Sequence, residues 1–260
     1  MSTIRGARFA TFVALGLALA AALYLGRAQF HEQQVAERDQ LGLMSSLPIY
    51  WDDGAAFDDI VAGEAQKPWV RDVLETRYRI APLDTLAREE AGTGDAPATE
   101  PLAGLRYLLI AQPRGLSPAD NVALDDWVNE GGHLLYALDP MLTGNYTVPF
   151  SDPRHPTLIG MLPPVLPRWG IQMEFTERQL FEVHGVEMGF GHVPVMMGGK
   201  IVLAGAGTQH CQLEGEGLLA TCKIGKGRVT LLADAALFEL PEAESSDRDA
   251  LLALLEHAFE

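Results

Sequence analysis

Between Leu105 and Pro140 the hydrophobic pattern changes period twice. Leu105 to Ala111 (LRYLLIA) is a short apolar run of the kind that forms a buried strand. Ser117-Pro118-Ala119-Asp120 then opens a helix, with Ser117 as N-cap, Pro118 at the first helical position and Asp120 completing a capping box. Leu124, Trp127 and Val128 form its inward stripe, and Gly131-Gly132 stops it. His133 to Leu138 is the next strand, closed by Asp139-Pro140. Strand, helix and strand in this span predict a right-handed parallel crossover.

The same reading extends outwards. Leu47 to Trp51 reads as the first strand, Trp69 to Tyr78 as an amphipathic helix and Arg79 to Leu83 as a second strand. Thr93 to Pro101 reads as a loop by composition. Residues 141–199, broken by Pro149, Pro153, Pro156, Pro163, Pro164 and Pro167, read as an irregular insertion on the sheet's edge. Lys200 to Ala204 and Gly227 to Asp234 are further strands. Asp247 to Phe259 is a closing helix, capped by Ser246, with Leu251, Leu252, Leu254, Leu255 and Phe259 turned inwards. The predicted class is α/β: an open, mostly parallel sheet with helices on both faces.

One run has no period. Phe9 to Leu25 is apolar, without a charge, and just long enough to cross a bilayer. Arg5 and Arg8 precede it; Arg27 follows and is soon joined by Glu32, Glu37 and Asp39. The positive-inside rule keeps the N-terminus in the cytoplasm and exports the rest. A cleaved signal peptide ending at Gly26-Arg27-Ala28 is the alternative. The expected organisation is therefore an anchor at 1–28, a helical stalk at 29–43 and a periplasmic domain at 44–260, single-pass in the inner membrane. The formal net charge of −16 disfavours nucleic acid as a partner. It also favours a domain standing off an anionic bilayer.

The stretch Leu105 to Pro140, together with Gly225-Lys226-Gly227-Arg228-Val229 and Asp234-Ala235-Ala236-Leu237-Phe238, resembles an uncharacterised bacterial domain family. That family has a class I glutamine-amidotransferase-like fold, and it is similar to the extracytoplasmic domain of gliding-motility-type ABC transporter auxiliary proteins. The resemblance covers about 190 residues, from the first strand to the last helix. It implies a flavodoxin-like sheet, an N-terminal membrane helix and a membrane-protein partner, either a transporter or a MoxR-type AAA ATPase system.

Catalytic chemistry is hard to place. The strand-to-helix turn from Ala111 to Ser117 holds no cysteine. Gly115-Leu116-Ser117-Pro118-Ala119 is close to a serine hydrolase elbow, but Pro118 has no N–H for an oxyanion hole. His155, His184, Glu187, His192 and His210 lack any metal-site spacing. Gly225-Lys226-Gly227 precedes a strand, so it is a turn and not a phosphate loop. No cofactor is implied. Cys211 and Cys222 fall directly opposite each other in a hairpin turning at Glu216-Gly217, which favours a cross-strand disulfide outside the cytoplasm. Asp52, Asp53, Asp139 and Asp234 each follow a strand and gather at the carboxyl edge of the sheet, where ligands of open α/β folds bind. They could hold a divalent cation or a cationic ligand, or else cap turns and helices. The expected function is a non-catalytic interaction or ligand-binding domain accessory to a transporter or envelope complex. The alternative is a hydrolase or amidotransferase-like enzyme with a non-standard site.

Overall fold

The computed structural model describes residues 38–88, 98–152, 155–156, 162–205, 208–241 and 243–260. The apolar run at 9–25 and most of the stalk lie outside them. Gln40–Glu260 forms one compact unit. Its centre is a seven-stranded sheet. In chain order the strands are β1 (Gln40–Ser45), β2 (Arg79–Pro82), β3 (Tyr107–Ala111), β4 (His133–Ala137), and the last three of the sheet, β9 (Cys211–Glu214), β10 (Leu219–Ile224) and β11 (Gly227–Leu232). Their spatial order is β2-β1-β3-β4-β11-β10-β9. The neighbours from β2 to β11 are parallel, and β10 runs against both its neighbours. Both edge strands, β2 and β9, are four residues long.

The first strand lies earlier than the pattern suggested. Residues 40–43 belong to β1 rather than to a stalk, and Leu47 to Trp51 is a turn. Pro48 has no N–H for a ladder, and the Leu47 N–H is taken by Ser45 Oγ at 3.0 Å. The chain therefore folds back and buries Leu47 and Ile49 from above the strand. Gly42 allows this register: a Cβ there would stand 2.9 Å from Leu105 and Leu108 side chains.

Helix α1 (Phe57–Ala62) and helix α2 (Trp69–Arg77) lead from β1 to β2, and α3 (Pro118–Glu130) leads from β3 to β4. Ser117 Oγ accepts the Asp120 N–H, and Asp120 Oδ2 accepts the Ser117 N–H, so the capping box forms as read from the sequence. A short helix, α4 (Val165–Arg168), packs on α3. The insertion then makes its own small sheets. β5 (Ile171–Glu174) pairs with β8 (Lys200–Leu203), and β6 (His184–Met188) pairs with β7 (Gly191–Val195). Neither adds a strand to the main sheet. After β11 come α5 (Ala236–Glu239) and α6 (Ser245–Phe259). The cap of α6 is Glu244, whose N–H donates to Asp247 Oδ2, and not Ser246.

Adjacent residues of β11 show the layers. A Cβ at Gly227 would meet the Val128 carbonyl oxygen of α3 at 2.2 Å, whereas Arg228 Nη1 donates to the His257 carbonyl of α6. Successive strand residues point to opposite faces, so α3 and α6 cover opposite sides. Cys211 and Cys222 are partners in the β9–β10 register and form a disulfide. The connecting residues Gly215–Gly217 make a 3-10 turn in which all three residues have positive φ.

Candidate functional site

The carboxyl ends of β2, β1, β3, β4 and β11 share one edge, and the loops leaving them build the site. Strand order reverses between β1 and β3, the place where open α/β sheets open a crevice. Here it is closed. Gln112, the first residue after β3, has φ 42°, a left-handed conformation uncommon for a non-glycine residue. Its backbone carbonyl accepts the Ser46 N–H and the Ser46 hydroxyl. Its side chain pairs reciprocally with the Asp139 backbone, Oε1 accepting the N–H at 2.9 Å and Nε2 donating to the carbonyl at 3.2 Å. A buried amide thus stands at the tip of the strand-to-helix turn and joins the exits of β1, β3 and β4. No residue type in the sequence marks this position.

The four expected aspartates reach the edge as two pairs with different surroundings. Asp139 and Asp234 are buried. Asp139 accepts N–H groups from Met141 and Ala235, and Asp234 accepts them from Ala236 and Met196, one donor per oxygen. They pin the exits of β4 and β11 to each other and to the insertion. Burial raises the Asp139 pKa to about 7 against the two backbone donors, with Glu239 adding to the rise. Burial raises Asp234 to about 8, and the Asp139 carboxylate is the next contributor.

Glu239 is a third carboxylate that the sequence pattern missed. It accepts N–H groups from Thr143 and Gly144 and the Tyr146 hydroxyl. Burial pushes the Tyr146 hydroxyl pKa up, and the charges of Glu239, Asp139 and Asp53 push it further. Tyr146 is therefore the link between the buried pair and the outer one. Asp52 is exposed and caps a turn through Gly54 N–H; Asp53 Oδ2 accepts the Thr147 N–H.

Asp52, Asp53 and Asp84 line an open cleft of about 480 Å³ above β1 and β2. Ser45, Ser46, Tyr50, Trp51 and Tyr146 also line it, and among the described residues no basic side chain does. The two serine hydroxyls donate to the carbonyls of Leu47 and Gln112. Among the described residues no three His, Cys, Asp or Glu side chains group as metal ligands. Of the histidines noted in the sequence, His192 lies 2.6 Å from Glu187 across an exposed hairpin, and His155 packs against Tyr146 and Phe150.

These features define an open, mostly parallel α/β domain whose carboxyl edge carries an acidic cleft, a pair of buried aspartates and a buried amide. Residues 38–193 match the family described as ABC-type uncharacterized transport system, and the chain belongs to that family. A search of curated proteins returns no match. Among solved structures, the exo-β-1,4-mannosidase Op5Man5 of Opitutaceae bacterium strain TAV5 is 13% identical over 91% of this chain, with TM-score 0.46. The cold-adapted β-galactosidase of Rahnella sp. R3 is 14% identical over 85%, with TM-score 0.44. The chain spans 38% and 31% of those two enzymes. A cytoplasmic protein of Salmonella typhimurium is 11% identical over 85% of this chain and 98% of its own, with TM-score 0.47. Similarity at this level carries no information on activity.

Proposed function

We propose that the chain is a non-catalytic accessory component of an ABC-type transport system, tethered to the inner membrane by residues 9–25 with residues 40–260 in the periplasm. The family match over residues 38–193 carries this reading. The charge bias around the apolar run supports the orientation, and the Cys211–Cys222 disulfide suits an oxidising compartment. Gln112 supports the absence of turnover, because an amide at the tip of the β3 turn supplies no nucleophile. In this reading Asp52 and Asp53, with Asp84, face a cationic ligand or a basic segment of the partner, while Asp139 and Asp234 hold the exits of β4 and β11 together.

The test is affinity purification of the tagged full-length chain from native membranes in mild detergent, with mass spectrometry of the eluate. The expected result is a transporter subunit at near-stoichiometric yield, reduced when Asp52 and Asp53 are both changed to Asn. An AAA ATPase in its place would move the chain to a different system. Recovery of the chain alone, from membranes that contain the transporter, would overturn the proposal.

A further inference from the structure

The charge of this acidic chain is unevenly spread along the strand direction. The carboxyl edge holds the aspartates described above. At the amino edge the registers place Gln40 beside Arg79, Leu41 beside Tyr107, Tyr107 beside His133, His133 beside Arg228, and Arg228 beside Lys223. Arg106 precedes that row in β3's approach, and Lys226 sits in the β10–β11 turn.

Two features distinguish this edge from a scatter of surface charge. Lys223 and Arg228 stand directly opposite each other on antiparallel strands, a like-charge pairing whose repulsion a bound anion would relieve. Arg228 is also held in place, since its Nη1 donates to the His257 carbonyl. The second feature is shape. A concave basin of about 700 Å³ is lined by Lys223, Lys226, Arg228, His133 and His210, with the Cys211–Cys222 disulfide in its wall and, among the described residues, no carboxylate. The acidic residues of this edge, Glu130, Glu256 and Glu260 at helix ends and Asp39 before β1, lie outside that lining. His133 registers the local potential: burial lowers its pKa, the Phe259 carbonyl raises it, and Arg106 and Arg228 lower it again.

We propose that the amino edge docks on the membrane surface through this basin, which holds the phosphate of an anionic lipid headgroup. This rests on the tether proposed above. The chain enters the fold at Gln40, in the same row as these cations, and fourteen residues separate it from Leu25. Even fully extended they reach only about 50 Å. The tether therefore emerges at the edge that carries this basin, whose lining complements anionic lipid.

The experiment uses the full-length chain in nanodiscs of phosphatidylcholine, with or without phosphatidylglycerol, and reads amide hydrogen exchange by mass spectrometry. The expected result is exchange slowed at least several-fold in peptides covering 209–213 and 219–228 when phosphatidylglycerol is present. High salt reverses it, and Lys223→Glu with Lys226→Glu abolishes it. Both lysines are exposed, so the variant keeps its fold, which unchanged exchange of β3 and β4 verifies. Insertion into both discs with identical exchange overturns this proposal alone. Failure to insert into phosphatidylcholine discs overturns the tether and this proposal with it. Equal protection by inorganic phosphate in phosphatidylcholine discs assigns the basin to a free anion and overturns the lipid source.

Discussion

Asp120 and Asp234 are the same side chain driven in opposite directions. Asp120 accepts hydrogen bonds from Ser117 N–H and Oγ, Thr85 Oγ1, Leu86 N–H and Ala87 N–H. Burial alone would raise its pKa, but these donors outweigh burial and hold it at about 2. Asp234, with two N–H donors and Asp139 for a neighbour, goes up to about 8. The consequences for stability have opposite signs. Between about pH 4 and pH 8 the folded chain keeps a proton at Asp234 that the unfolded chain has released, so stability falls as the pH rises through that window. Asp120 contributes stability above about pH 4, and that contribution is lost as the pH falls towards 2. Thermal unfolding of wild type and Asp234→Asn across this range should show the wild-type advantage shrinking from pH 4 to pH 8. A constant difference would remove the raised pKa from the account. Asp120→Ala should cost about 3 kcal/mol at neutral pH in denaturant unfolding, since it strands the buried Leu86 N–H and the half-buried Ala87 N–H.

The β3–α3–β4 crossover could be read from sequence because every local signal there agrees: an unbroken apolar strand, a capping box and a glycine stop. The packing behind it was less visible. Gly227 sits where the end of α3 crosses β11, and a Cβ would meet the Val128 and Gly132 carbonyl oxygens at 2.2 and 2.3 Å. Both obstacles are backbone, so Gly227→Ala should destabilise by about 3 kcal/mol or more, read from the denaturation midpoint. A near-neutral result would mean that α3 can lift off the sheet. The start of β1 was obscured because Leu41 to Met44 directly follows a polar, helix-prone stretch. The insertion was obscured because its prolines interrupt any period, and β5 and β8, which pair with each other, are separated by a further hairpin. At the site, Asp139 and Asp234 were legible from their positions after β4 and β11, whereas Asp52 and Asp53 follow a turn and not the strand expected at Leu47 to Trp51. Gln112 and Glu239 were not legible. The role of Gln112 follows from its backbone conformation, and that of Glu239 from a loop nearly a hundred residues earlier wrapping back onto it.

Net charge describes the whole molecule poorly. A value of −16 argues for standing off an anionic surface, but the fold sets a basin lined by Lys223, Lys226 and Arg228 at the edge where the chain enters and a cleft lined by Asp52, Asp53 and Asp84 at the other. The disulfide gives an independent check on the proposed export. In acid-quenched cells, thiol labelling of the denatured chain should find neither Cys211 nor Cys222 free unless a reductant is added first. Two reactive thiols would place the domain in a reducing compartment and remove the export reading.

Both margins of the sheet are blunt. β2 ends at Pro82, which cannot donate to a further strand, and β9 is bound to β10 by the disulfide before it turns away at Gly215. Short, interrupted margins give a neighbouring copy little to pair with. For proteins confined to a plane, collisions between copies are frequent and repeatedly similar in orientation, conditions under which exposed strands recruit one another into growing assemblies. This sheet terminates itself on both sides, so copies can crowd together without zipping into a continuous array.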